Sequence, residues 1–249
     1  MPPACRPGTA ATAAVVIAVA VVLALRGVAR TVVPAGTSEP SAALIGPRVR
    51  LWYRGVIAPL EDALVASRIH PDVLTWTQLG VSVLASAAFW TGALFLAGWL
   101  TILAGTLDIF DGGVARRGGI ASRRGALVDS LVDRCAEFAT FVGVGAFLRH
   151  GWGLLLVALT AFASLMVSYV RARAEGLGLE LRTGRAQRPE RHVILGLGAV
   201  AADLFAHLAC EPAERALLVP VLLLALVSVW TAIERGWHAL VALDRGGPA

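Results

Sequence analysis

The chain has 249 residues, a formal charge of +5, and a composition that is 57% hydrophobic and 16% charged. Long apolar stretches with so few charges exclude an ordinary soluble domain and indicate membrane-spanning helices. All 22 basic residues are Arg, and they flank the apolar runs, which directs them to phosphates at a lipid surface and not to nucleic acid.

The first apolar run, Thr9 to Leu25, follows Arg6. It is either a cleaved signal peptide or an additional span. A signal peptide would export the Arg-rich stretch behind it, so an extra helix starting outside is expected. Pro47 to Ser67 mixes arginines with Leu51, Trp52, Tyr53, Leu60 and Leu64, the pattern of an amphipathic helix on the cytoplasmic membrane face. Val73 to Leu107 carries no charge and holds two spans, with a turn expected at Thr91-Gly92. The third span, Gly125 to Leu148, has Asp129, Asp133, Arg134 and Glu137 in its first half. Trp152 to Val170 is the fourth, Val193 to Cys210 the fifth, interrupted by Asp203, and Ala216 to Ile233 the sixth, with Pro220 as a candidate kink.

The arginines orient these spans. Arg48, Arg50, Arg54 and Arg68, then Arg116, Arg117, Arg123 and Arg124, then Arg171, Arg173, Arg182, Arg185, Arg188 and Arg191, then Arg235 and Arg245 all fall on one side. Arg149 and Arg215 fall on the other, so the Arg-rich side is expected to be cytoplasmic. Cys5, Cys135 and Cys210 show no C-x-x-C spacing and read as bland small residues, with neither a disulfide framework nor a zinc site.

The segment Leu103 to Phe138 holds four of the eight aspartates. Asp108, Asp111 and Ala115 stand at i, i+3 and i+7, and Gly125, Asp129 and Asp133 at i, i+4 and i+8, so each set shares a helix face. The two helices are consecutive and antiparallel, and the faces can meet at the cytoplasmic boundary. A carboxylate costs roughly 2.5–3.5 kcal/mol at mid-membrane, and mutual repulsion adds to this. A hard divalent cation such as Mg²⁺, shared with substrate phosphates, would compensate. Gly112, Ala115 and Gly125 leave room for a ligand near the backbone, and Arg116 is placed to pair with a phosphate. A transporter would instead string its acids along a pathway.

Asp108-x-x-Asp111-Gly112-x-x-Ala115-Arg116, eight residues, then Gly125-x-x-x-Asp129-x-x-x-Asp133 resembles the signature of the CDP-alcohol phosphatidyltransferase family. The resemblance covers about Pro47 to Ala239 and divides the chain into an N-terminal hydrophobic segment and linker, 1–46, and a transmembrane domain, 47–249. It implies an all-α integral membrane fold of six transmembrane helices with a juxtamembrane amphipathic helix. It also implies a homodimer and a polar cavity facing the cytoplasm from a multi-pass position in the inner (plasma) membrane. The implied activity is transfer of a phosphatidyl group from CDP-diacylglycerol to a small alcohol with release of CMP, supported by Mg²⁺ or Mn²⁺. By the same resemblance Asp108, Asp111 and Asp129 are metal ligands, with Asp133 as a further ligand and as the general base. Gly112, Ala115, Arg116, Ser122 and Gly125 match positions at the CDP donor. Asp72-Val73-Leu74-Thr75, after Pro71, resembles a family segment that lines the nucleotide site.

A second dense region runs from Ser168-Tyr169-Val170-Arg171 to Arg188-Pro189-Glu190-Arg191. It resembles a segment of bacterial phosphatidylinositol phosphate synthases, with departures at Arg171, where Lys is common, and Gln187, where Glu is common. The resemblance implies that Ser168, Arg171, Arg188 and Arg191 hold a phosphorylated acceptor such as inositol phosphate. A phosphatidylglycerophosphate synthase using glycerol 3-phosphate is the alternative, a transferase using a neutral alcohol comes third, and a non-enzymatic transporter is the reading from another class. Asp203, near the outer end of its span, is expected to cap or pair at a dimer contact. His192, His207 and His238 show no metal spacing, and the tryptophans fit interfacial anchors.

Overall fold

The structure is a computed structural model that describes residues 26–31, 46–179 and 187–245. The expected N-terminal span and the loop arginines Arg182 and Arg185 lie outside the described residues. Seven helices follow one another: α1 (Pro47–Ala66), α2 (Pro71–Trp90), α3 (Leu94–Arg117), α4 (Arg123–Phe147), α5 (Gly153–Glu175), α6 (Arg188–Ala209) and α7 (Ala213–Asp244). A helical turn at 26–30 precedes them, and no strand occurs among the described residues.

Local chemistry sets the boundaries. Pro71 opens α2, and the His70 side chain accepts from the Asp72 amide at 3.2 Å. The chain turns at Thr91-Gly92, as the sequence predicts; Gly92 has a φ of +78°, a conformation that favours glycine. Ser122 caps α4, its hydroxyl accepting from the Gly125 amide at 3.0 Å. Pro189 and Glu190 occupy the first turn of α6.

Among the described residues five helices, α2, α3, α5, α6 and α7, are long and apolar enough to cross a membrane. α4 has 25 residues, a sufficient length, but its first half carries the charges noted above. α2 packs along α3 and α4, α3 along α6, and α7 along α5 and α6. Apolar residues away from the aspartates, among them Phe89, Leu94, Val144, Leu217 and Leu224, fill the main core. Backbones approach closely where α3 meets α6: a Cβ on Gly196 would lie 2.6 Å from the Ile102 side chain and 2.9 Å from the Gly98 carbonyl oxygen. Large apolar side chains such as Trp76, Phe138 and Leu223 face outward, as lipid contact requires.

α1 fulfils the expectation of a helix over Pro47–Ser67 with an apolar face. Ile57 is buried on Leu74, Phe110 and Val114, with Tyr53 and Leu64 beside them. Its polar residues tie it down: Arg50 pairs with Glu190, Arg117 pairs with Asp62, and the Tyr53 and Thr106 hydroxyls lie 2.5 Å apart.

At the far end of α6, Cys210 is disulfide-bonded and takes a left-handed φ of +55°. This corrects the reading that placed the cysteines outside any disulfide. Asp203, one turn from His207 (3.5 Å), faces the Phe95 amide in the first turn of α3, which is a capping position.

Candidate active site

The aspartates gather at the end of the bundle where α3 finishes and α4 begins. Asp108, Asp111 and Asp129 offer carboxylate oxygens that all lie within 4.8 Å of one another. Asp129 Oδ1 is buried with no hydrogen-bond partner, and a set of oxygens alone with an orphaned atom suits a hard divalent cation. Asp111, 3% exposed, accepts from the Thr75 hydroxyl at 2.8 Å through one oxygen and from the Gly112 amide through the other.

Asp133 stands beside this triad. Its Oδ1 accepts from Gln78 Nε2 at 3.0 Å, and its Oδ2 accepts from Arg188. The same Arg188 nitrogen lies 3.4 Å from Asp108 Oδ1. One arginine from α6 thus bridges the acids of α3 and α4, while two neutral donors reach them from α2.

The expected donor-site residues divide. Arg116 folds back over Gly112, where an added Cβ would lie 3.0 Å from Arg116 Nη1, and its charge acts on Asp129. Ala115 and Gly125 are half-buried nearby. Ser122 spends its hydroxyl on the helix cap. Of Asp72-Val73-Leu74-Thr75, Thr75 reaches the aspartates and Asp72 lies at the rim, 3.3 Å from Arg124. Val73 is 55% exposed and Leu74 is buried beneath α1. Four consecutive helical residues span about 300° of the circumference at 100° each, so their side chains point to different sides of α2.

The expected acceptor residues also divide. Arg188 is at the aspartates. Arg191, one turn on, is 3% exposed and grips Glu137 through two bonds of 2.7 and 3.2 Å, while Ser164 donates to the same carboxylate at 2.6 Å. Arg171 is exposed and pairs with Glu175 at 2.8 Å, and Ser168 is half-buried one turn before it. Sequence reasoning missed Gln78, Glu137 and Arg235. Glu137 extends the Asp129–Asp133 face by one further turn, a signal that was present. Arg235 counts as a flanking arginine by sequence, yet α7 continues to Asp244. It is 5% exposed, donates to the Val167 carbonyl at 2.8 Å, and lies among the charges of Arg171, Arg191, Glu175 and Glu234.

Residues 68–241 match the model of the CDP-alcohol phosphatidyltransferase family. The chain is 37% identical over 156 residues to the phosphatidylinositol phosphate synthase of Mycobacteroides abscessus, covering 61% of this chain and 71% of that one. It is 33% identical to the enzyme of the same name from Cutibacterium acnes, covering 75% and 93%. Among solved structures it resembles the Mycobacterium tuberculosis phosphatidylinositol phosphate synthase with CDP-DAG bound, at 30% identity and a TM-score of 0.64 over 77% of this chain and 96% of that one. The same enzyme in complex with manganese and citrate matches at 30% identity and a TM-score of 0.63, covering 74% and 88%.

Proposed function

The chain belongs to the CDP-alcohol phosphatidyltransferase family, and from that premise we propose that it moves the phosphatidyl group of CDP-diacylglycerol onto a hydroxyl of inositol phosphate and releases CMP. The observation that carries the reading is the oxygen-lined triad of Asp108, Asp111 and Asp129 with Asp133 set between it and an arginine cluster. The names of the bacterial relatives support the acceptor, and the relative with CDP-DAG bound supports the donor.

A divalent cation, Mg²⁺ or Mn²⁺, held by Asp108, Asp111 and Asp129 supplies neutralisation of the diphosphate and of the departing CMP. Arg116, beside Asp129, adds positive charge on the donor side. Asp133 accepts the proton of the acceptor hydroxyl. That oxygen bonds to the phosphorus bearing diacylglycerol, the bond from this phosphorus to CMP breaks, and CMP leaves with the electron pair. Arg188 leaves Asp133 for the incoming acceptor phosphate, which frees Oδ2 for the proton. Arg171 and Arg235 complete the phosphate pocket, and Glu137 holds Arg191 as its wall.

α4 counts in this reading as the sixth span, its charged first half resting in the site. The Arg-rich end, which holds the aspartates, faces the cytoplasm of the inner membrane. The bonded Cys210 at the opposite end supports that orientation, because disulfides persist in oxidising compartments. A homodimer belongs to the same proposal, checked by the mass of the detergent-solubilised enzyme.

Initial rates of CMP release with inositol phosphate, glycerol 3-phosphate and free inositol test the acceptor. Arginine–phosphate bonds contribute roughly 1.5–3 kcal/mol, so inositol phosphate should outrun inositol at least about tenfold. A preference for glycerol 3-phosphate would transfer the chain to the phosphatidylglycerophosphate synthases, and a preference for free inositol would remove the phosphate pocket.

A further inference from the structure

Gln78 is a polar side chain in the middle of α2, a helix with no charge after Asp72. It is 1% exposed and sits one turn beyond Thr75 on the same face. Its Nε2 donates to Asp133 Oδ1 at 3.0 Å, and its Oε1 is buried with no partner. A half-satisfied amide inside an apolar helix costs stability that a Leu or Met of similar size would not. Such a local cost is expected where a side chain serves chemistry and not packing. The amide orientation is fixed by the same logic: reversed, it would set two oxygens against each other.

We propose that Gln78 is a positioning residue for the transfer step, holding Asp133 Oδ1 so that Oδ2 is the oxygen turned toward the acceptor hydroxyl. The proposal rests on the reading of Asp133 as the proton acceptor. The two oxygens of Asp133 have different partners. Oδ1 is held by a neutral amide on α2, and Oδ2 by a charged guanidinium on α6. A phosphate entering the site competes for the guanidinium and has little hold on the amide. The Gln78 bond therefore persists through the reaction while the Arg188 bond exchanges. Without Gln78 the carboxylate is free to rotate about its Cβ–Cγ bond, and either oxygen can turn to Arg188. Thr75 gives Asp111 the same kind of neutral anchor one turn away, so a single face of α2 orients one acid on α3 and one on α4.

The test compares the wild-type enzyme with Gln78→Met, which keeps the volume and removes the donor, and Gln78→Glu, which keeps the shape and replaces the donor with an acceptor. Partners that orient a reacting group from behind typically contribute 10–100-fold. Gln78→Met should lower kcat by about that factor, with KM for CDP-diacylglycerol and for inositol phosphate within about twofold of wild type. Its melting temperature should be equal or higher, because the orphaned amide oxygen is gone. Gln78→Glu should lose at least as much kcat. Turnover by Gln78→Met within about threefold of wild type would overturn the proposal. So would a fall in kcat that tracks a fall in melting temperature, which would make the residue a packing element. Absence of CMP release by the wild-type enzyme with every phosphorylated alcohol would overturn the underlying reading of the site and this assignment with it.

Discussion

Asp133 is 2% exposed and has a partner on each oxygen, so the near-isosteric Asn is the substitution that disturbs packing least. Asp133→Asn keeps the shape and removes the base. General-base catalysis contributes about 10²–10⁴, and turnover should fall by that factor while CDP-lipid binding stays measurable by calorimetry. Loss of less than about tenfold would move the base elsewhere. Asp108→Ala and Asp111→Ala act on a different step. Each removes one oxygen donor from a set of three, and the Mn²⁺-dependent part of CDP affinity should disappear in both. Unchanged calorimetric affinity with Mn²⁺ would speak against a metal there. The four aspartates were legible because helical spacing reports which residues share a face of one helix. Gln78 and Arg235 were not, because their meaning depends on which helix lies opposite, and one sequence carries no trace of that. Of the group Ser168 to Arg191, Arg188 stands at the aspartates and Arg191 is held by Glu137, while Arg235 reaches the same region from a helix about 45 residues further along the chain.

At the scale of the helix, α1 is the element whose role the structure enlarges. Its amphipathic pattern predicted a helix on the membrane face, but the pattern could not name its anchors. Glu190 is fully buried and forms an ion pair with Arg50, whose side chain is 16% exposed. Removing one partner of a buried pair leaves the other charge uncompensated and costs about 3–5 kcal/mol, whereas replacing both with apolar residues costs far less. Arg50→Leu should lower the melting temperature in detergent, and Arg50→Leu with Glu190→Leu should recover most of it. Additive losses in the double variant would mean that the pair does not join α1 to α6. Arg188 and Arg191 flank Glu190 on the same turn, so Arg50→Leu should also raise the KM for the acceptor. The starts of α2, α4 and α6 are fixed by Pro71, Ser122 and Pro189, a few residues before the Val73, Gly125 and Val193 that the apolar runs mark in the sequence.

For the whole molecule, the proposed orientation, with the Arg-rich end in the cytoplasm, rests on the positive-inside pattern and on the bonded Cys210 at the opposite end. A Cys introduced for the exposed Arg123, at the first turn of α4, checks it. A membrane-impermeant maleimide should label it in inverted vesicles and leave it unlabelled in right-side-out ones, and the reverse pattern would invert the topology. The general plan, apolar spans with a charged cluster at one end, was open to sequence reasoning because lipid imposes length and hydropathy on every span. The order of helix neighbours was not. It depends on contacts such as Gly98 with Gly196, where two small residues admit close backbone approach.

The position of the aspartates also decides how the enzyme should count its substrates. They lie at one end of the spans, and α7, with 32 residues or about 48 Å of helix, outruns a hydrocarbon layer of about 30 Å. Ala239 and Ala242 of that overhang pack beside Ala174 and Leu179 at the end of α5, so the wall near Arg235 extends beyond the lipid. One substrate therefore approaches by lateral diffusion in two dimensions and the other through water in three. The effective concentration of the lipid is its mole fraction in the surface, while that of the polyol phosphate is its molarity. Adding inert lipid or detergent at constant bulk amounts of every reactant should slow turnover in proportion to the dilution of the donor in its plane. Doubling the aqueous volume at a fixed surface composition should act through the water-soluble partner alone.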